Sequence, residues 1–494
     1  MNVDATIKSN PVDSHRHPAL ARRALLQAGG IGLLGLGMHH LGQLRALASP
    51  GIATARRPPV RSVVFVFLSG GAPQHDTFDP KPEAPDNIRG DFGPIATQTP
   101  GVEISEHLPR LAQRSSRWAL CRSLGHKSDD HDAGHQIMLS GRSDLPSGFK
   151  GFLSQATNWP AIAAMVNSAV SGNGNLPPAV VLPEKIIRTD NMQPWSGQFA
   201  GLLGAQWDPW FIEAAEWCQR GWGPCPHCYD GVVNDGTPHK HTTVPRFNPP
   251  SLTLPEEVGS GRFSERAALL AHFDAQRRLM ERAASVGEYS RHAQNAISLL
   301  TGSRTREALF DVVHADPATL DRYGRNKYGW SALLAVRLIE AGVRLVQVNF
   351  GKASSWDTHV ANFEILKNNL LPSTDRALSA LLDDLHDRGL LESTLVVVAS
   401  EFGRTPRING ASKPGRDHWG AVQTVLFAGG GVRGGNLVGS SDKIGGFPAS
   451  NPQTPENLAA TIYEALGIPR TAEWHDTLQR THQFYAGEPI GGLF

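Results

Sequence analysis

Imidazole and carboxylate side chains gather in four short stretches of this sequence, each just behind an apolar run. Behind residues 63–68 stand His75, Asp76 and Asp79, and behind 118–124 stand His126, Asp129, Asp130, His131, Asp132 and His135. Asp357 and His359 follow 344–350; Glu401 and Arg404 follow 394–400, with Asp417 and His418 further on. Such nitrogen and oxygen donors together suit Zn, Mn, Fe or a mixed pair of divalent ions. A close pair of metals would clamp the oxygens of a phosphoryl or sulfuryl transfer. Each group also has a plainer reading. Asp357-Thr358-His359 can be a turn, Glu401 can simply end a strand, and one of Asp129, Asp130 and Asp132 can cap a helix. His131 and His135, four apart, share a face if their stretch is helical, as many solvated histidine pairs do.

The elements that must position these groups follow from apolar patterning. The continuous β-branched and aromatic run at 63–68 reads as a strand buried on both faces, as do 344–350, 394–400 and the shorter 424–428. Between them lie helical patterns. In 373–388 the side chains of Leu378, Leu381, Leu382 and Leu385 form one stripe, with Ser373 as its cap and Gly389 just beyond it. Thr454-Pro455-Glu456 opens another helix and Gly467 closes it. This alternation predicts an α/β fold, a doubly wound, mostly parallel sheet with helices on both faces. Ligands of such sheets bind at the carboxyl ends of the strands, where the histidines and acids lie. The domain is expected over 62–488, with a Trp-, Pro- and Gly-rich insertion at about 190–250.

Composition narrows the class. The 494 residues are 40% hydrophobic and 19% charged, with a net charge of +1, which argues against nucleic acid or an anionic membrane as the main partner. Residues 1–48 read as a targeting leader: Arg22-Arg23, a short charge-free apolar stretch, then Ala46-Leu47-Ala48 for cleavage, with 49–61 as a linker. The expectation is export by the twin-arginine route to the periplasm or beyond, with no membrane-spanning segment once the leader is removed. Only four cysteines occur. Cys225-Pro226-His227-Cys228, with Cys218 nearby, reads as a disulfide, a small zinc knot or free thiols, and less well as a redox pair. Trp207, Trp210, Trp217 and Trp222 either line a sugar-binding wall or pack the insertion onto the domain.

The same segments resemble the family known as domain of unknown function 1501, of the alkaline phosphatase and sulfatase superfamily. The matching pieces are 67–71 through Asp76-Thr77-Phe78-Asp79-Pro80, His135 to Arg142, Trp356-Asp357-Thr358-His359, Glu401-Phe402-Gly403-Arg404-Thr405-Pro406, and Gly415-Arg416-Asp417-His418-Trp419. The resemblance implies a divalent-metal site (Zn, Mn, Ca or Mg). Asp357, His359 and His418 would hold one metal, with Glu401 and Asp76 toward a second. The chain departs from the superfamily in having Ser69-Gly70-Gly71 where a metal-binding Asp usually ends the first strand. It has Glu401-Phe402 in place of an Asp-His pair, and His131 in the slot of the formylglycine cysteine.

His131 or Ser128 is therefore the candidate for a covalent step, with His135 beside it; otherwise a metal-activated water attacks. Arg404 or Arg416 would hold the anion with a bidentate fork. The expected activity is metal-dependent hydrolysis of a small phosphate or sulfate ester, with a sulfated or phosphorylated carbohydrate as the leading substrate. The rival is a secreted binding or scaffold protein of the same fold that has lost catalysis; a redox accessory role through Cys225 and Cys228 is the weaker third. Changing Arg22 and Arg23 together to lysine should leave the chain unprocessed inside the cell. Normal cleavage and export of that variant would remove the leader reading.

Overall fold

Strand β1 (Ser62–Phe67) is buried along its whole length, and its alternate residues feed two separate cores. Val64 and Val66 enter one, while Val63, Phe65 and Phe67 enter the other. That is why the run carries no polar alternation: both faces are covered. The computed structural model describes residues 60–171, 176–188, 191–214, 247–248, 309–352, 355–410 and 412–494. Arg22 and Arg23 with the rest of the expected leader lie outside the described residues, as do Cys218, Cys225, Cys228, Trp217 and Trp222.

The remaining strands of the central sheet are β2 (Trp118–Leu124), β3 (Ala179–Leu182), β4 (Trp210–Phe211), β5 (Leu345–Asn349), β6 (Thr394–Ala399), β7 (Gln423–Gly429) and β8 (Leu437–Val438). Their spatial order is β8-β2-β7-β6-β1-β5-β3-β4. Strand β1 pairs in parallel with both β6 and β5, and β5-β3-β4 continue in parallel. Strand β7 alone runs against its neighbours β6 and β2. The sheet is thus mostly parallel. The carboxyl ends of β1, β2, β5 and β6 share one edge, and the beginning of β7 lies at that same edge.

Helices α1 (His131–Ser140), α2 (Ile162–Ala169) and α5 (Pro455–Ala465) pack on the Phe65 face; α3 (Lys327–Glu340) and α4 (Leu371–Asp387) pack on the Val64 face. The start of α5 is as expected: Thr454 and Asn457 form a capping box, Pro455 follows, and Gly467 lies beyond the end at φ 77°. The start of α4 is not. Ser373 is buried inside the helix, which is preceded by a π-turn, Leu366–Leu370, and by helical residues Asn362–Ile365. Pro372 has no N–H to give to the preceding turn, and the wider turn ahead of it absorbs that gap. At α4's far end Gly389, at φ 66°, does close the helix. In the stretch read as an insertion, residues 191–214 supply the edge strand β4. There Trp210 meets Phe310 edge-on and Trp207 packs on the Phe65-side core, so these two indoles pack rather than form a wall.

Among the described residues no helix is long and apolar enough to cross a membrane. Asp375 of α4 accepts the N–H groups of Arg110 and Leu111, which tether a short helix, Pro109–Ala112, to the Val64 face. Burial raises its carboxyl to about 6, although those two N–H groups pull the other way. The folded protein therefore holds a proton that the unfolded chain has already released between about pH 4 and 6. Stability falls as pH rises through that window, by at most about 1.4 kcal/mol per pH unit from this group. Denaturant titrations of Asp375→Asn should lose that component of the slope; an unchanged slope would place its origin elsewhere.

Candidate metal centre

The turn after β1 needs its glycines. Gly70 and Gly71 sit at φ 122° and 86°, and a Cβ on Gly71 would meet the Phe402 ring at 2.6 Å. This close approach lets the Gly70 N–H donate to Glu401 Oε1 at 2.7 Å, joining the ends of β1 and β6. Helix α1 starts at the same edge, capped by Asp130, whose side chain accepts the Ala133 N–H. Its first residue, His131, presents Nδ1 to Glu401 Oε1 at 2.8 Å and Nε2 to Asp357 Oδ2 at 3.2 Å. The second contact is not aligned as a hydrogen bond, so a buried Nε2 is left without one.

Asp357 is the meeting point. Its Oδ1 lies 2.6 Å from Arg404 Nη2 and 3.0 Å from each of His418 Nε2 and His359 Nε2. The two latter nitrogens stand 2.9 Å apart. Two imidazole lone pairs do not face one another at that distance unless a proton or a cation lies between them. Their other nitrogens are tied back: His418 Nδ1 donates to the Asp129 carbonyl at 2.8 Å, and His359 Nδ1 meets Asp417 Oδ1 at 2.7 Å. Tying one ring nitrogen to a carbonyl or carboxylate is how proteins aim the other at a metal. The Phe402 ring lies against both His131 and His418, with centroids at 4.9 and 4.7 Å.

The electrostatics follow the same map. Burial opposes protonation of His131, but the Asp357 and Glu401 carboxylates outweigh it and raise the imidazole to about 9. Burial likewise opposes ionisation of Asp357, yet the three imidazoles and Arg404 hold its carboxyl well below the usual range. Glu401, against its burial, is held at about 2 by His135 and His131. His359 is raised, first by Asp357 and then, against burial, by Asp417. Among the described residues, those whose donor atoms converge closely enough to hold a cation are His131, Asp357 and His418, and, deeper in, His131, His135 and Glu401. The outer set is part-exposed and fits a cation on three counts: mixed imidazole and carboxylate donors, the orphaned His131 Nε2, and back-tied ring nitrogens.

Several expected site residues are placed elsewhere. Asp76 is fully buried and receives both arms of Arg416, Nε at 2.8 Å and Nη2 at 3.0 Å, plus the Asn362 amide at 2.9 Å. Both its oxygens are occupied, so it is an ion-pair partner and not a metal ligand. Arg404 is buried and its fork is also occupied, donating to the carbonyls of Gly70, Gly71, Trp356 and Arg416 and to Asp357. Neither Arg404 nor Arg416 is free to grip a substrate, contrary to expectation. His135, expected in catalysis, is enclosed: Nδ1 donates to the His131 carbonyl, and Trp195 stacks on it at 4.9 Å. Burial lowers its pKa. His126 has both ring nitrogens occupied, by the Glu401 carbonyl and the Ser128 N–H. His75 is bonded to the Ile444 carbonyl and lowered to about 4 by burial and then by Arg416. Sequence reasoning passed over Trp195 and the Asp129 carbonyl; a backbone group carries no residue-type signal.

The family model described as "Protein of unknown function (DUF1501)" matches residues 60–493. The chain belongs to this family. No curated protein matches it. Among solved structures, the DUF1501 chain is similar to alkaline phosphatase from the Antarctic bacterium TAB5, at 12% identity, covering 83% of this chain and 98% of that one, with a TM-score of 0.34. Phosphonate monoester hydrolase from Silicibacter pomeroyi is similar at 11% identity, 87% and 78% coverage and a TM-score of 0.35. Ps i-CgsB, crystallised with k-i-k-neocarrahexaose, stands at 10% identity, 84% and 73% coverage and a TM-score of 0.39.

Asp76→Asn separates the two roles of that residue. As an ion-pair partner its loss leaves Arg416 buried and uncompensated, at a cost of about 3–5 kcal/mol in denaturant unfolding, with bound metal unchanged. Loss of metal at unchanged stability would restore Asp76 as a ligand.

Proposed function

We propose that this DUF1501 protein is a metal-dependent hydrolase of a phosphate or sulfate ester, acting outside the cytoplasm, with a carbohydrate-linked ester as the leading substrate class. The observation that carries this reading is the convergence of His131 Nε2, Asp357 and His418 Nε2, joined by His359, at the solvent-open edge of the sheet. These residues would hold a divalent ion, which when bound supplies positive charge to an anionic ester and to the water that attacks it. In the reaction, water oxygen bonds to phosphorus or sulfur, the bond to the alcohol oxygen breaks, and one water proton leaves with the alcohol. His131 is a poor nucleophile here, because its two nitrogens face Glu401 and Asp357. The Ser128 hydroxyl accepts the Asp130 N–H and sits at the mouth of α1. With both His131 nitrogens turned to carboxylates, direct attack by water fits better than a covalent step through that imidazole. Arg404 places positive charge behind Asp357 without reaching solvent, positioning the carboxylate rather than the substrate.

One observation favours the second reading, a binding or scaffold protein that keeps the fold without turnover. Both arginines expected to clamp an anion are fully occupied inside the protein. The test is metal content and hydrolysis of an aryl phosphate and aryl sulfate panel by wild type, His418→Ala and His131→Ala. The hydrolase reading expects each variant to lose metal and at least ~10²-fold of the activity while the sheet stays folded. Metal without turnover in the wild type supports the binder, and no metal with unchanged variants removes the site altogether.

A further inference from the structure

His131 has a carboxylate on each side, so a cation could in principle sit on either ring nitrogen, or on both. The inner side is already complete. Glu401 Oε1 accepts the Gly70 N–H at 2.7 Å and faces His131 Nδ1 at 2.8 Å. His135 Nδ1 donates to the His131 carbonyl at 2.7 Å, which leaves Nε2 as an acceptor, and the Ser69 hydroxyl donates to it at 3.1 Å. Ser69, His135 and Glu401 are all fully buried. A cation there would have to displace two hydrogen bonds among fully buried groups and would gain no open coordination position. The outer side is the reverse: Nε2 is buried, lacks a hydrogen bond and points at the part-exposed Asp357 and His418. The ring is flanked by Phe402 at 4.9 Å and Trp195 at 5.7 Å, which favour this orientation of its nitrogens.

From this arrangement we infer that Glu401 is not a metal ligand but a positioning residue. Held by the Gly70 N–H, it fixes the His131 proton on Nδ1, so the protein holds a single cation on the Nε2 side. This rests on the metal site proposed above and replaces the second metal that the sequence resemblance implied at Glu401. A carboxylate in this place both orients the imidazole and makes its free nitrogen a better donor. Glu401→Gln keeps an oxygen to accept from Gly70 and His131 while removing the charge.

The test uses the metal-free full chain titrated with Zn²⁺ by calorimetry, with ¹⁵N-histidine NMR of the zinc-loaded wild type. The inference expects one zinc per chain, a proton on His131 Nδ1 with zinc on Nε2, and in Glu401→Gln still one zinc, bound about 10- to 100-fold more weakly. Two zincs in the wild type falling to one in the variant would overturn it while leaving the hydrolase reading intact, and so would a His131 Nδ1 without its proton. The NMR assignment decides the point even if the variant folds poorly. A wild type that binds no zinc would overturn this inference and the metal-dependent function together.

Discussion

The Arg404 guanidinium holds the functional edge of this protein together. It is fully buried, and its N–H groups reach the carbonyls of Gly70 and Gly71 after β1, Trp356 after β5 and Arg416 in the returning loop, as well as Asp357 itself. A buried cation is costly unless it is paired and hydrogen-bonded, and here three segments supply the five acceptors. Move the Asp357 segment and the charge is left uncompensated; move either of the others and buried N–H groups lose their carbonyls. The turn after β1 and the two segments that carry Asp357 and His418 are therefore held in register by one planar group rather than by the sheet alone. Asp76 and Arg416 repeat the device, again with no exposure to solvent.

Around that hub, the layers have a clear division of labour. The Val64 and Phe65 faces bury apolar side chains and set the strand ends in place. The glycine turn after β1 lets Glu401 come close, Glu401 holds His131, and Phe402 lies against His131 and His418. Each imidazole at the open face is thus constrained from behind by a backbone or carboxylate group, which is preorganisation in a literal sense.

Much of this was legible in the sequence, and the failures have physical causes. Buried parallel strands announce themselves as unbroken β-branched runs, so β1, β5 and β6 were found within a residue or two of their ends. The Thr454-Pro455 helix start was legible because capping is a local interaction. The direction of β7 was not, since an apolar run carries no sign of which way it pairs; yet that direction is what returns His418 to the edge where β1 and β6 end. The arginines misled for a related reason. A guanidinium in a polar loop reads the same whether it faces a ligand or four backbone carbonyls, and only the folded chain distinguishes them. His135 was placed correctly on one face of a helix with His131, but that face turned out to look inward, onto Trp195.

The antiparallel course of β7 also governs when the site can come into being. His418 bonds to the Asp129 carbonyl across 289 residues of chain, and Gly70 to Glu401 across 331. Closing loops of that length is slow, although the added entropic cost grows only logarithmically with length. Unlike a small zinc module, where neighbouring ligands let the ion nucleate the fold, the candidate centre here is complete only after long-range docking. A nascent chain that has reached the loop after β5 carries His131, Asp357 and His359, and His418 joins them only once β6 and the loop beyond it have been made and docked. Completion of the candidate centre is thus a late event, a mark of completed folding rather than its trigger.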